Sequence, residues 1–268
     1  MSTAPIPRHG NGLGPARRRL LRLASRLLLL PGFVSLAPLA ARAATHAYPV
    51  GAFSRLAPGP LADESGWEHR PLKNIRPNTA EIVLSGTMPV LRIHSNASAS
   101  GWAHAITGGL KRAHRLRWRW AVKGGPRQSV VGERSADDFA ARVYVVFDYP
   151  LAKVPWSARL GIRIARALYG AEVPAAALCY VWHPGIADDS LAESPYTSRV
   201  RMILPAATGP RDGWQRVARD LAEDFTRAFG AEYGPGMPEL QAIIVSSDTD
   251  QTGGVVDAFF GDIELLDG

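Results

Sequence analysis

The chain has 268 residues, of which 46% are hydrophobic, enough for one large domain or two small ones. Its formal net charge of +7 suggests an anionic partner, but residues 1–44 hold seven arginines and no acidic residue. Without those seven, 24 basic residues face 24 acidic ones. The rest of the chain is therefore formally neutral and gives no indication of nucleic acid or an anionic membrane as a partner.

Residues 1–44 have the pattern of an export signal: a basic region, an apolar run over residues 27–41, and an A-x-A site at residues 41–43. The apolar run contains prolines and is short for a membrane span. We therefore predict a cleaved signal peptide, a periplasmic or secreted protein, and no stable transmembrane span after cleavage. A membrane anchor is the alternative, and both the general and the twin-arginine routes stay open for residues 17–21.

Cys179 is the only cysteine, so the chain forms no internal disulfide. Its surroundings, LCYVWHP, predict a strand. A buried, inert thiol is therefore expected rather than a nucleophile.

From Trp67 onward, short apolar runs are separated by turns. Runs over 79–84 and 90–94 flank a turn and predict a hairpin. Residues 116–122 alternate, with Leu116, Trp118, Trp120 and Val122 on one face. Further strands are predicted at residues 102–106, 142–148, 178–182, 199–203, 242–246 and 258–266.

Apolar residues at intervals of four predict two helices, over 157–170 and 220–230. Residues 214–219 fit either an extension of the second helix or a strand. Many short strands with few helices favour an all-β fold, because an α/β sheet needs a helix between most strands. We predict a jelly-roll-type antiparallel β-sandwich over residues 67–268 with two short helical insertions, preceded by a flexible arm or strand lead-in over 45–66.

Two acidic blocks of the sequence contain candidate metal ligands. Asp137 and Asp138 precede a predicted strand, and Asp248, Asp250 and Thr252 occupy alternate positions in D-x-D-x-T-G-G. Oxygen ligands at this spacing suit Ca²⁺, so Asp137, Asp248, Asp250 and Thr252 are a possible calcium site. Capping of a tight turn by the same side chains is the alternative and is favoured.

A third interpretation pairs Arg142 with Asp138 or Asp248 as an ion pair that ties two strands together. Arg142 and Tyr144 lie on the face of their strand opposite Val143, Val145 and Phe147. That placement predicts a groove around Arg142 and Tyr144.

Aromatic rings beside an arginine and an aspartate on one sheet face would form a sugar-binding surface. The candidate ligand-binding residues are Arg142, Tyr144, Trp182, Tyr180, Asp138, Trp118 and Trp120. For Trp118 and Trp120 the core is the competing location, since alternating aromatic residues in a strand more often face inward.

The chain resembles the DUF3047 family of exported bacterial proteins in five blocks, which occur in this order: LRWRW, ADDFAARVYVVF, YVWH, W…RD…DFTRAFG and SSDTDQTGG…FFGDIELL. The resemblance covers roughly residues 67–267. It implies a jelly-roll module of the galactose-binding and carbohydrate-binding kind and implies no chemistry, because no activity is assigned to the family. A longer basic insertion over 155–172 departs from the family pattern.

No G-x-S-x-G, H-E-x-x-H, C-x-x-C, P-loop or G-x-G-x-x-G motif is present, and no catalytic residue is assigned. The leading hypothesis is a non-enzymatic module that binds a glycan or cell-envelope component, with no cofactor apart from the possible Ca²⁺. A glycan-active hydrolase or lyase using two carboxylates is the second, and a structural or interaction protein is the third. Ligand identity and oligomeric state are left open.

Overall fold

The computed structural model describes residues 46–266, apart from residues 157, 160, 161, 163–173 and 211. The predicted signal peptide over 1–44 and most of the predicted helix over 157–170 lie outside the described residues.

Two sheets form the fold. Sheet A contains β1 (Ala47–Gly51), β2 (Gly59–Pro60), β4 (Thr79–Ser85), β5 (Met88–Asn96), β7 (Arg115–Pro126), β12 (Gln215–Asp220), β14 (Gly254–Phe260) and β15 (Ile263–Leu266). Sheet B contains β3 (Glu68–Pro71), β6 (Ala99–Ala105), β8 (Arg142–Phe147), β9 (Ala177–Val181), β10 (Leu191–Ser194), β11 (Thr197–Ile203) and β13 (Leu240–Asp248). Short 3₁₀ segments lie at Phe53–Arg55, Asp63–Ser65, Gly108–Arg112, Arg134–Ala136 and Leu151–Lys153.

The strand order is β1-β15-β7-β14-β5-β4-β2 in sheet A, where β12 also pairs with β7, and β10-β11-β9-β8-β13-β6-β3 in sheet B. Successive strands from β5 to β8 alternate between the two sheets, which is jelly-roll connectivity. The predicted all-β jelly-roll sandwich is thus confirmed, with one departure from purely antiparallel pairing. Strand β11 runs parallel to β9, with Val200 opposite Ala177.

The core lies between the sheets and is formed by the side chains that point inward, at every second position of each strand. Trp118 and Trp120 of β7 face inward and are 3% and 1% exposed. The ring of Trp118 lies 5.1 Å from the ring of Tyr180 on β9, so the two sheets are in direct aromatic contact. On β8, Val143, Val145 and Phe147 are buried in the same core, as their spacing predicted.

The α-helix α1 (Leu221–Tyr233) packs on this core through its apolar face. The Asp220 side chain caps it by accepting hydrogen bonds from the backbone N–H groups of Ala222 and Glu223 at 3.1 and 3.0 Å. Phe225 and Phe229 are buried, and Phe225 lies 4.8 Å from the Phe147 ring. The predicted helix is therefore present and ends three residues later than expected, at Tyr233 instead of Gly230. The ambiguous segment 214–219 is strand, since β12 pairs with β7.

Two predicted segments differ from the structure. The described part of residues 45–66 matches the strand alternative and not the flexible arm, because β1 pairs with β15 and Phe53 is fully buried. The single final strand over 258–266 is two strands, β14 and β15, separated by Gly261 and Asp262. The break arises where the Asp262 side chain accepts hydrogen bonds from the N–H and hydroxyl of Ser54 at 2.8 and 2.6 Å.

Among the described helices, none combines the length and the apolar composition that a bilayer crossing needs.

Candidate functional site

The two acidic blocks meet around Arg142. This residue begins β8 opposite Ser246 of β13, two positions before Asp248. The Arg142 guanidinium donates from Nη2 to Asp248 Oδ2 at 2.5 Å and from Nε to Asp248 Oδ1 at 3.1 Å. Nη2 also donates to the carbonyl and to Oδ2 of Asp137, at 2.5 and 3.2 Å. Arg142, Asp137 and Asp248 therefore form a buried ion-pair cluster that ties the start of β8 to the end of β13.

Asp138 lies beside this cluster but has a different role. Its Oδ1 accepts from the backbone N–H of Gln251 at 3.1 Å, and its Oδ2 accepts from the N–H and the hydroxyl of Thr252 at 2.6 and 2.7 Å. The side chain is fully buried. Asp138 thus caps the turn after β13, as in the turn-capping interpretation, and is not a partner of Arg142.

The calcium hypothesis stays a prediction, and the group of close carboxylates contains Asp138 where the sequence suggested Asp137. One oxygen each from Asp138, Asp248 and Asp250 lies within 4.8 Å of the others. A calcium ion would compete for Asp248 with Arg142 and with the N–H of Phe139, which donates to Asp248 Oδ1 at 2.9 Å.

Burial weakens the ionised state of these acids. It raises the pKa of Asp248 to about 6, more than the neighbouring Arg142 lowers it. Burial also raises the pKa of Asp137 and, together with the charge of Asp138, that of Asp250. Among the described residues Asp137 Oδ1 has no hydrogen-bond partner. A further hydrogen-bond donor would therefore stabilise the carboxylates of this site, Asp137 first of all.

A groove runs along the face of sheet B that points away from sheet A. It consists of two adjoining cavities of about 280 and 420 Å³ that share Leu72, Tyr144, Val200 and Asp248. The larger cavity is also lined by Asp137, Arg142, Tyr196, Asp250 and Gln251. We call this surface the sheet B groove. Arg142 also lines this groove, and its hydrogen bonds to Asp137 and Asp248 are made by Nε and Nη2.

Only one of the predicted aromatic residues lines this groove. Tyr144 does so, whereas Trp118, Trp120 and Tyr180 are buried between the sheets. Trp182 is half-buried and packs against the same core. Their prediction as ligand contacts is wrong for the groove. On β9 the reason is alternation, since the groove side of the strand carries Ala177, Cys179 and Val181 instead.

The turn between β10 and β11 supplies an aromatic residue that the sequence analysis missed. Tyr196 is 47% exposed, and its hydroxyl accepts from Gln251 Nε2 at 3.2 Å. The guanidinium of Arg134 lies 4.8 Å from the centre of its ring. Strand periodicity carries no signal for Tyr196, because it lies in a turn. An aromatic residue after Ser194-Pro195 is the only sequence cue.

Cys179 lies in β9 as predicted and is fully buried. Burial raises the pKa of its thiol to about 12. The inert character expected of this thiol is consistent with that environment.

Residues 65–264 match the family described as "Protein of unknown function (DUF3047)". The chain belongs to this family. No protein with a curated description matches this DUF3047 chain.

Among solved structures, the chain is similar to the xyloglucanase domain of NopAA, a type three effector from Sinorhizobium fredii, in complex with cellobiose. That similarity has 10% identity and a TM-score of 0.41 and covers 82% of this chain and 98% of that one. The catalytic domain of Humicola grisea Cel12A, soaked with a thio cellotetraose, has 16% identity and a TM-score of 0.38, over 75% and 93% of the two chains. Endoglucanase Cel12A from Rhodothermus marinus has 11% identity and a TM-score of 0.37, over 78% and 97%. Similarity at this level is of overall architecture and transfers no activity.

Proposed function

We propose that this DUF3047 protein is an exported, non-enzymatic module that binds a neutral glycan of the cell envelope or its surroundings in the sheet B groove. The observation that carries the proposal is that two tyrosines, Tyr144 and Tyr196, line the same exposed cavity on this sheet face as the polar residues Arg142, Asp248 and Gln251. Tyrosine rings offer an apolar surface for the C–H faces of a sugar. Carboxylate, amide and guanidinium groups beside them satisfy sugar hydroxyls.

Charge in the larger cavity favours a neutral ligand over an acidic one. Three aspartates, Asp137, Asp248 and Asp250, line it together with one arginine, Arg142. That arginine is already paired with two of them. A uronate or phosphate placed there would be repelled by the unbalanced negative charge of the aspartates. A sugar hydroxyl would instead donate a hydrogen bond to one of these carboxylates.

The extracytoplasmic location is a proposal based on residues 1–44. Fractionation of cells that express the full chain should place it outside the cytoplasm. A variant lacking residues 1–44 should stay inside, and the same location for both proteins would contradict the proposal.

The binding test is an array of neutral and acidic oligosaccharides followed by calorimetry on the strongest ligand. The array should include cello-oligosaccharides, N-acetylchito-oligosaccharides and oligogalacturonates. We expect a neutral ligand to bind and Tyr144→Ala and Tyr196→Ala each to weaken it about tenfold, because each removes one ring of contact. Tyr48→Ala, on β1 of sheet A, is the matched control and should leave affinity unchanged. The proposal that the sheet B groove binds a neutral glycan would be refuted if no neutral ligand bound. It would also be refuted if Tyr48→Ala lost as much affinity as the groove variants.

A second candidate function, glycan hydrolysis, is favoured by one observation. Oxygens of Asp248 and Asp250 lie within 4.8 Å of each other, and both pKa values are raised. Retaining glycosidases place two carboxyl groups about 5 Å apart, with the acid of raised pKa. Release of reducing ends from the bound oligosaccharide, abolished by Asp250→Asn, would replace the binding proposal with this one.

A further inference from the structure

The opposite face of the sandwich carries a second cavity. It measures about 630 Å³ and lies on the outer side of sheet A, where β7 and β12 pair. We call it the arginine cleft, after the three arginines that line it: Arg117, Arg119 and Arg216. These side chains alternate along their strands with the buried Trp118, Trp120 and Val217, so they point away from the core.

Two of these arginines face each other, and neither has a carboxylate partner in the part of the chain that the structure describes. Arg119 lies directly opposite Arg216 in the β7–β12 ladder. Like charges in that position destabilise a sheet. Of the two acids that line the cleft, Glu264 pairs with Arg117, and both oxygens of Asp262 are bonded to Ser54. No ion pair joins Arg119 or Arg216 to an acid among the described residues.

Arg119 is held in place by uncharged neighbours. Its guanidinium lies 4.6 Å from the centre of the Trp214 ring, and its Nη2 contacts the sulfur of Met88. Its stem runs over Gly261, where an added Cβ would come within 2.3 Å of Nε. Because Gly261 has no side chain, it leaves room for this path, and the arginine is pre-organised by its contacts with Trp214 and Met88.

We propose that the arginine cleft binds an oxyanion group of an anionic polymer, with Arg119 and Arg216 as its paired ligands. Guanidinium groups bind carboxylate and phosphate through two parallel hydrogen bonds, and an anion between the two would remove their mutual repulsion. This proposal is independent of the sheet B groove, because the two surfaces share no residue and lie on opposite sheets.

Carboxylate and phosphate sources are separated by calorimetry with tetragalacturonate in one arm and inorganic polyphosphate in the other. We expect one arm to bind, with affinity that falls steeply as salt rises. Arg119→Gln and Arg216→Gln should each weaken binding about tenfold, since each removes a charged hydrogen bond. Arg119→Lys keeps the charge but loses the fork and should weaken binding as well.

Arg112→Gln is the matched control, because it removes the same charge from an 82% exposed arginine outside the cleft. It should leave affinity unchanged, as should Tyr144→Ala in the other groove. Failure of both probes to bind the wild-type chain would overturn the proposal. An equal loss in the Arg112→Gln control would do the same, because it would show non-specific attraction.

Discussion

Arg142 is the residue on which the two acidic blocks depend. It is 4% exposed and bonds to Asp137 and Asp248, so its charge is balanced inside the protein. The sequence predicted an ion pair of Arg142 with Asp138 or Asp248. The pair with Asp248 is present, but the second partner is Asp137 and not Asp138. Successive side chains point in different directions, and the backbone turn at residues 134–137 decides which one meets Arg142.

Replacing Arg142 by methionine should lower the free energy of unfolding by about 3–5 kcal/mol, because it leaves two buried carboxylates without their cation. Urea unfolding followed by circular dichroism measures this. The double variant Arg142→Met/Asp248→Asn should recover part of the loss, because one of the stranded charges is then absent. A single variant as stable as the wild type would show that the cluster is not a stabilising element.

Glycan affinity in the sheet B groove should fall as the pH is lowered through about 6, the pKa to which burial raises Asp248. Below that value the carboxyl is neutral and is a weaker acceptor for sugar hydroxyls. Stability changes in the opposite sense. Because the folded-state pKa lies above the ordinary 3.8, the folded protein binds the extra proton between these values, and the Asp248 contribution to the unfolding free energy increases as pH falls.

Calorimetry from pH 5 to pH 8 tests the binding change, with Asp248→Asn as the control that removes the titrating group. The variant should lack the step near pH 6. A step of the same size in the variant would assign it to another residue.

Elements with strong periodicity were predicted with accuracy, and short edge elements were not. Alternation located β7 and β8, and the four-residue spacing located α1. Strand β2 has two residues and β10 has four, too few for a period to be seen. The parallel pairing of β9 with β11 has no local signature, because it depends on the path of the intervening chain.

The turn after β13 should depend on its cap. Asp138→Ala removes the acceptor for two N–H groups and one hydroxyl, so we expect a loss of about 1–3 kcal/mol in unfolding free energy. Thermal and urea unfolding measure it. Asp63→Ala, at an exposed aspartate outside the turn, is the control and should have no effect.

Thermal melts with and without EDTA separate capping from calcium binding at the same turn. If the hydrogen bonds of Asp138 are sufficient to stabilise the turn without a metal ion, EDTA should leave the melting midpoint unchanged. A midpoint that falls on EDTA addition and recovers with Ca²⁺ would establish the metal site instead.

At the scale of the whole molecule, the sequence predicted the sandwich but not which aromatic residues reach its surface. Turn spacing and the scarcity of helices were sufficient for the fold class. Trp118 and Trp120 could have faced either way, because alternation defines two faces without saying which is inside. The tryptophan face is the inner one because its side chains are large and apolar, whereas Arg117 and Arg119 on the other face are charged and remain in solvent.

The whole fold should be insensitive to reductant. With one cysteine, no internal disulfide contributes to stability, so dithiothreitol should leave the melting midpoint unchanged. Cys179 should react with a thiol reagent only after unfolding, because it is buried with its pKa raised to about 12. Rapid labelling of the native protein would contradict this placement.

Pairing of β1 with β15 joins residues that are far apart in the chain: Ala47 lies opposite Leu266 and Tyr48 opposite Leu265. During synthesis the earlier strand emerges from the ribosome long before the later one, so this edge of sheet A cannot form until β15 has been synthesised. Contacts of such sequence separation slow folding, because loop closure precedes any gain from pairing. A nascent polypeptide with this topology therefore keeps β1 without its sheet partner until β15 has been made.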